Sequence, residues 1–206
     1  MTEYEKMKAG LLYNCFDEEL ADKRLKVRKL LEEFNRLTMD EEDRKQEILD
    51  EVLKSHGKNT WIEPPLRMDY GCHTSVGDNF YMNFDGIILD VCDVTIGDNV
   101  LIGPRVSIVP PMHPLVAEER RTRIVNGKYK DSEYGKPIII GNNVWIATGA
   151  IICGGVTIGD DVVIGAGSVV TRDIPSGYVA YGNPCKPRRK ITDADRMFAS
   201  QGIKEW

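Results

Sequence analysis

A mainly β chain, wound as a parallel β-helix behind an α-helical N-terminus, is the fold class that this sequence predicts. Three observations predict it. An aliphatic residue recurs at every sixth position through Ile140, Ile146, Ile152, Ile158, Ile164 and Val170. The next position in each repeat holds Gly141, Ala147, Cys153, Gly159, Gly165 and Thr171, and five of these six are no larger than cysteine. The same step occurs upstream at Val76, Met82 and Ile88 and, after a slip of two residues, at Ile96, Ile102 and Ile108, with Gly77, Gly97 and Gly103 in the second place. A fixed six-residue period is neither the about 3.6 of a helix nor the about 2 of a half-buried strand; it is what stacked coils leave in a sequence. Small residues in the second place let the backbone turn a corner. The aliphatics then point inward, each contributing about 1.5–3 kcal/mol by its burial.

Residues 1–58 are charged, poor in glycine and helical in pattern. From Asp17 onward Leu20, Leu25, Val27, Leu30, Leu31, Phe34 and Leu37 fall at three- and four-residue steps and make one apolar face. A second helix is expected from Thr38, with Glu41 completing a capping box, an apolar stripe of Ile48, Leu49, Val52 and Leu53, and Gly57 as its stop. An extended entry segment follows, in which Pro64 and Pro65 rule out helix. Residues 59–185 then carry the repeats. With three hexads to a triangular coil they supply about four complete coils and partial ones. Residues 109–137 interrupt the rhythm, and loops beyond about 12–15 residues inside a compact domain are usually functional or disordered. Residues 186–206 form a C-terminal segment with the basic cluster Lys186, Arg188, Arg189 and Lys190. The open edges of a stacked solenoid need covering, and the N-terminal helices are the natural cap for one end.

The 206 residues can bury a core without disulfides or metals. A net charge of −5 argues against a general nucleic-acid or membrane-surface binder. Five widely spread cysteines with no C-x-x-C pair read as free thiols in a reducing compartment. With no signal-like N-terminus and no long apolar run, the expected location is the cytoplasm. His56, His73 and His113 stand at no ligand spacing with the acids or cysteines, so no metal is expected.

Several segments are more specific than the repeat: NFYMNFDGIILDVCDVTIGDNVLI, the His-Pro of the interruption, GKPIIIGNNVWI and GNPCKPRRKI. Together they resemble the maltose and galactoside O-acetyltransferases of the hexapeptide-repeat acyltransferases, over nearly the whole chain. The resemblance implies a left-handed parallel β-helix, a homotrimer with active sites between subunits, and transfer of acetyl from acetyl-CoA to a sugar hydroxyl. Periodicity alone gives neither hand nor trimer, and the usual right-handed crossover rule points to the opposite hand.

His113 matches the family's catalytic histidine. With a reference pKa of about 6.5, a histidine can take the proton from a hydroxyl at cytoplasmic pH, a contribution of about 10²–10⁴ in rate. The family pattern places Asn83, Asp69, Asp90, Tyr81, Arg24 and Trp145 at the acceptor. It places Thr148, Ala166, Thr171, Arg172, Lys186 and Arg189 along CoA, where small side chains admit a thin arm and cations suit phosphates. Two departures speak against a galactoside acceptor: Val91-Cys92 follows Asp90 where galactoside-type members carry a second acid, and Cys15 stands where they have an acid. The alternatives are an acetyltransferase of the same fold acting on an antibiotic or another small alcohol or amine, nucleophilic catalysis through Cys72 or Cys92, and a non-catalytic hexapeptide-repeat scaffold.

Overall fold

The computed structural model, which describes residues 1–203, is a triangular prism of parallel strands. Its first face stacks Ser55–His56, Thr74–Val76, Val94–Ile96, Ile138–Ile140 and Thr157–Ile158. The second stacks Trp61–Ile62, Tyr81–Met82, Leu101–Ile102, Trp145–Ile146, Val163–Ile164 and Tyr178–Gly182. The third stacks Leu66–Met68, Gly86–Ile88, Ser107–Val109, Ile151–Cys153 and Val169–Val170.

Each interior side chain sits over its counterpart one coil below. On the second face the column runs Ile62, Met82, Ile102, Ile146, Ile164 and Ala180. On the third it runs Met68, Ile88, Ile108, Ile152 and Val170. All are buried. The hexads therefore form the core, and one coil more than the rhythm announces is present: the expected entry segment is itself the first coil, with His56, Ile62 and Met68 in the interior columns. The half-buried His56 ring is bonded to Asp50 at 2.7 Å and to the Gly57 carbonyl at 3.2 Å.

Gly57 is accordingly no helix stop. It is the second-place residue of the first coil, and its N–H donates to the Val76 carbonyl. The second-place glycines of this corner also have a different reason from the one expected. Left-handed φ falls two residues later, at Asn59, Asn79, Asn99, Asn143 and Asp161, where short polar side chains tolerate it. The glycines leave room for a side chain of the coil above: a Cβ on Gly97 would stand 2.5 Å from Asn142 Oδ1. Those side chains cap the turns, as Asp78 accepts from Lys58 N at 2.7 Å and Asp98 from Asp78 N at 2.8 Å. Beside them the amides of Asn59, Asn79, Asn99 and Asn143 hand a hydrogen bond upward, ending on Asp161.

The N-terminal region does two jobs. Helix α1 spans Glu3–Lys8, α2 Glu18–Phe34 and α3 Glu42–Val52. Val27, Leu31 and Phe34 of α2, with Ile48, Leu49 and Val52 of α3, continue the solenoid core and close its first coil. Leu25 lies off that face and is about half exposed. At the end of α2, Asn35 satisfies the edge strand by accepting from Leu66 N at 2.7 Å and donating to Leu66 O at 2.9 Å. Helix α3 starts later than expected. Glu41 does reach back to Thr38 N, but the Thr38 hydroxyl donates to Asp40 and Glu41 instead of capping, and the turn before Glu42 stays non-helical. The segment before α2 is no end cap. Met7 and Tyr13, with Leu20, form a second small core with Tyr70, Val91 and Cys92 on the flank of the prism.

At the far end Tyr178–Gly182 pairs parallel with Val163–Ile164 and folds back into Cys185–Lys190, an antiparallel hairpin that covers the second face's last edge. Of the expected C-terminal segment, residues 204–206 lie outside the described residues. No helix among the described residues is long and apolar enough to cross a membrane.

Ile102 sits in the middle of its column with 1% of its surface exposed. Ile102→Ala is expected to lower stability by about 2–5 kcal/mol, read as a lower urea midpoint at unchanged slope.

Candidate active site

The prism has three corners, and they are not equivalent. Between the third face and the next first-face strand, the first two coils each carry two extra residues, so that their columns advance by twenty positions where the coil after the interruption advances by eighteen and the last by sixteen. The third coil carries the whole interruption at the same corner. There Pro111–Met112 and Tyr134–Gly135 pair antiparallel and close the excursion at its base, while Arg123–Val125 and Lys128–Lys130 form an exposed hairpin at its tip.

His113 follows Met112 directly and is exposed. Its Nδ1 lies 3.2 Å from the Ser132 carbonyl, which can only accept, so Nδ1 carries the hydrogen and Nε2 is left to take a proton. The register Met112 to Tyr134 sets Glu133 opposite His113. Glu133 is gripped by Tyr13, whose N–H donates to the Glu133 carbonyl at 2.9 Å and whose side chain bonds the carboxylate. Burial raises the Glu133 carboxyl above the usual range, against the lowering effects of His113, Tyr13 and Arg24. Nothing in the sequence marks Glu133, because the pairing across the excursion cannot be read from spacing.

Arg24 and Asp69 come to the same corner. Arg24 donates through Nη1 to the Tyr70 hydroxyl and through Nη2 to the Cys15 carbonyl at 2.6 Å. Asp69 accepts from Arg28 Nη2 at 3.0 Å. Asp90, expected at the acceptor, has no exposed surface. Its carboxylate accepts from the backbone N–H of Tyr70, Gly71 and His73 and from the Thr74 hydroxyl, at 2.9–3.2 Å. Burial pushes its pKa up to about 6 even against those four donors. It presents nothing to an acceptor.

The remaining expected residues stand elsewhere on this chain. Asn83 lies at the corner between second and third faces, one step from the stack in which Gly149 N donates to Pro104 O and Gly167 N to Thr148 O. Thr148 and Ala166 are exposed there, and a Cβ on Gly149 or Gly167 would meet nothing within 4 Å, so this corner borders open space. Tyr81 and Trp145 point outward from the second face, joined through Leu101 by register. Thr171 and Arg172 return to the His113 corner two coils higher. Lys186 and Arg189 lie on the terminal hairpin, where Arg189 already forms a two-pronged pair with Asp195 at 2.8 Å. Two half-sites thus occupy two corners: His113, Glu133, Asp69 and Arg24 at one, Asn83, Thr148 and Ala166 at another.

The thiols are poor nucleophiles. Burial raises Cys72, pushes Cys15 to about 11 and Cys92 to about 12.

The comparisons agree with this architecture. Residues 6–57 match the maltose acetyltransferase hexapeptide capping motif, and residues 137–172 match the bacterial transferase hexapeptide of six repeats. The galactoside O-acetyltransferase of Escherichia coli K12 is 44% identical over 200 residues, which cover 97% of this chain and 95% of that one. The chain belongs to the maltose and galactoside O-acetyltransferases. Among solved structures, a maltose O-acetyltransferase from Clostridium difficile 630 superposes with a TM-score of 0.86 at 47% identity, covering 94% of this chain and 99% of that one. A galactoside acetyltransferase in complex with coenzyme A gives 0.87 at 44%, covering 95% and 94%. The chain is thus a member of a family of CoA-dependent acetyltransferases.

The His113 corner also contains a titratable group that is not part of the half-site. His73 is 1% exposed, donates from Nδ1 to the Asp90 carbonyl at 2.6 Å and takes the Tyr4 hydroxyl on Nε2 at 3.1 Å. Burial lowers its pKa, opposed by the hydrogen bond to the Asp90 carbonyl and by Asp93 and helped by Lys8 and Lys54. The folded state therefore prefers neutral His73, and its contribution to stability is complete above the unfolded value of about 6.5 and lost as pH falls toward the lower folded value. Asp90 and Glu133, both raised, act with the opposite sign at lower pH. Subtracting the stability profile of His73→Asn from that of the unaltered chain should leave a slope only below about pH 6.5.

Proposed function

We propose that this acetyltransferase moves the acetyl group of acetyl-CoA onto a hydroxyl of a maltose- or glucose-like sugar, by direct attack with His113 as general base. The observation that carries the reading is the His113 geometry. Its Nδ1 is committed to the Ser132 carbonyl, Nε2 is open, and a part-buried carboxylate stands opposite. As the acceptor oxygen bonds the acetyl carbon, Nε2 takes the hydroxyl proton, and the charge gained by the ring is offset by Glu133. The CoA sulfur leaves with the electron pair of the broken thioester bond, and the proton held on His113 can return to it.

Acetyl-CoA supplies the activated acyl group. Residues suited to hold it are at hand: exposed Thr148 and Ala166 beside open space for a thin arm, and Lys186 on the terminal hairpin, which makes no ion pair among the described residues, for the phosphates. Arg189 joins them if its pair with Asp195 is shared or exchanged. Thr171 and Arg172, exposed at the His113 corner two coils higher, would line the same groove from the neighbouring copy. On the acceptor side Asp69 and Arg24 stand by His113, with Asn83, Tyr81 and Trp145 reaching it from a neighbouring copy.

That last point is the physical argument for a homotrimer. Half-sites at two different corners of one prism become complete sites when corners of neighbouring copies meet, and a closed ring of three leaves none unmatched. Elution as an assembly of three 23.2 kDa chains is the expected result in solution. Five free thiols fit work in a reducing compartment such as the cytoplasm.

An antibiotic or another small alcohol or amine in place of the sugar is the second reading, while Cys15 in place of an acid counts against a galactoside in particular. Acetyl-CoA consumption measured with maltose, glucose, thiogalactosides and chloramphenicol separates the two: fastest turnover of maltose or glucose is expected. His113→Ala should cut kcat by two or more orders of magnitude with CoA binding intact, and near-unaltered kcat would remove the general base. Glu133→Gln should cost roughly tenfold in kcat, the equivalent of about 1.4 kcal/mol of imidazolium stabilisation.

A further inference from the structure

We propose that Asp90 is a positioning residue for the acceptor side of the site: its carboxylate clamps the first-coil corner that carries Asp69 and Tyr70, and so sets where Arg24 and Arg28 are received. The proposal rests on the reading that Asp69 and Arg24 face the acceptor.

The interior columns hold the first coil up to Met68 and from Val76 onward. Between them the corner has extra length, and residues whose spacing follows no ladder must be held by something else. Asp90 stands one coil up, twenty positions after Tyr70. One carboxylate oxygen takes the N–H of Tyr70 at 2.9 Å and of Gly71 at 3.0 Å. The first of these belongs to the peptide that joins Asp69 to Tyr70, and the second to the next peptide, so Tyr70 is gripped on both sides. Two successive N–H groups converge on one oxygen only if the chain bends sharply, and Gly71 supplies the bend with φ +67°, where an added Cβ would run into Val52. The other oxygen takes His73 N at 3.2 Å and the Thr74 hydroxyl at 3.1 Å.

What the clamp presents is specific. Arg24 and Arg28 lie one helical turn apart on α2, and the first donates to the Tyr70 hydroxyl while the second donates to Asp69. Tyr70 itself is 1% exposed under the N-terminal segment, so a shift of the corner is transmitted to its hydroxyl and to Arg24. Among the described residues no carboxylate does the same for the second coil's corner, because the third coil leaves the stack there.

Asp90→Asn keeps the shape and turns one acceptor oxygen into an amide that faces two donors. With the fastest sugar of the acceptor screen, KM for the sugar is expected to rise at least tenfold while KM for acetyl-CoA stays within twofold. Equal rises in both, or a sugar KM within twofold of the unaltered enzyme, would overturn the proposal. Should Asp90→Asn fail to fold, Thr74→Val removes one donor of four. It is expected to raise the sugar KM about threefold, with Thr74→Ser restoring it, and an unchanged KM in Thr74→Val overturns the clamp. Asp69→Asn, run in parallel, tests the underlying reading. If it leaves the sugar KM unchanged, the acceptor assignment falls, and the clamp is judged by the alkylation rate of Cys72, the exposed thiol between Gly71 and His73. At least a fivefold faster rate in the Asp90 or Thr74 variant supports it and an equal rate overturns it.

Discussion

Vertical register governs this molecule. Each coil must place its three interior side chains over those of the coil below while its backbone pairs with the same neighbour, so strands can be neither lengthened nor slipped without breaking both the column and the ladder. Only the corners are free to vary. One of them is closed by the Asp caps and the Asn amide ladder, and a second is kept to tight turns through Pro104, Thr148 and Ala166. All the extra length goes to the third: two residues in the first coil, two in the second, and the His113 excursion in the next.

The chemistry follows from that allocation. An exposed histidine at a corner has no fixed direction of its own, and the antiparallel base of the excursion supplies one by setting Ser132 and Glu133 against it. The N-terminal segment completes the arrangement. Tyr13 bridges to Glu133 and Arg24 holds the Cys15 carbonyl, so the same few residues anchor the segment and build the wall of the site. Partial burial of Glu133 by that wall is what raises its carboxyl.

How far the sequence could be read depended on whether a feature was periodic. The run Ile140 to Val170 is legible because the later coils carry no corner insertion, and the family segments made the His113 interruption legible as a site. The first coil was hidden, since a histidine and a methionine share its interior columns with Ile62 and since Pro64 and Pro65 look like a linker. Gly57 and Thr38 misled for a related reason: each has the local chemistry of a helix terminus, and the coil ladder or a neighbouring carboxylate had the stronger claim. Asp90 and Glu133 were beyond reach in another way. Their surroundings are made by chain segments sixteen residues or more away, and an aspartate that will be enclosed by three backbone N–H groups and a hydroxyl looks, in a sequence, like one that faces solvent.

The excursion that carries His113 has a consequence for how the chain acquires its structure. Successive coils pair residues sixteen to twenty apart, as Ile164 with Ala180, Ile140 with Ile158 or Val76 with Ile96, whereas Ile96 must find Ile140 across forty-four positions. Closing the longer loop costs about 0.7 kcal/mol more in chain entropy, and its strands gain nothing until it closes. Assembly by nearest-neighbour addition can thus proceed from either side of this junction and is slowed about threefold at it by that entropy. The first three coils with their helices and the last coils with their hairpin are the natural partially folded units, and the slower step between them is the entropic counterpart of holding a long excursion at mid-height in the stack.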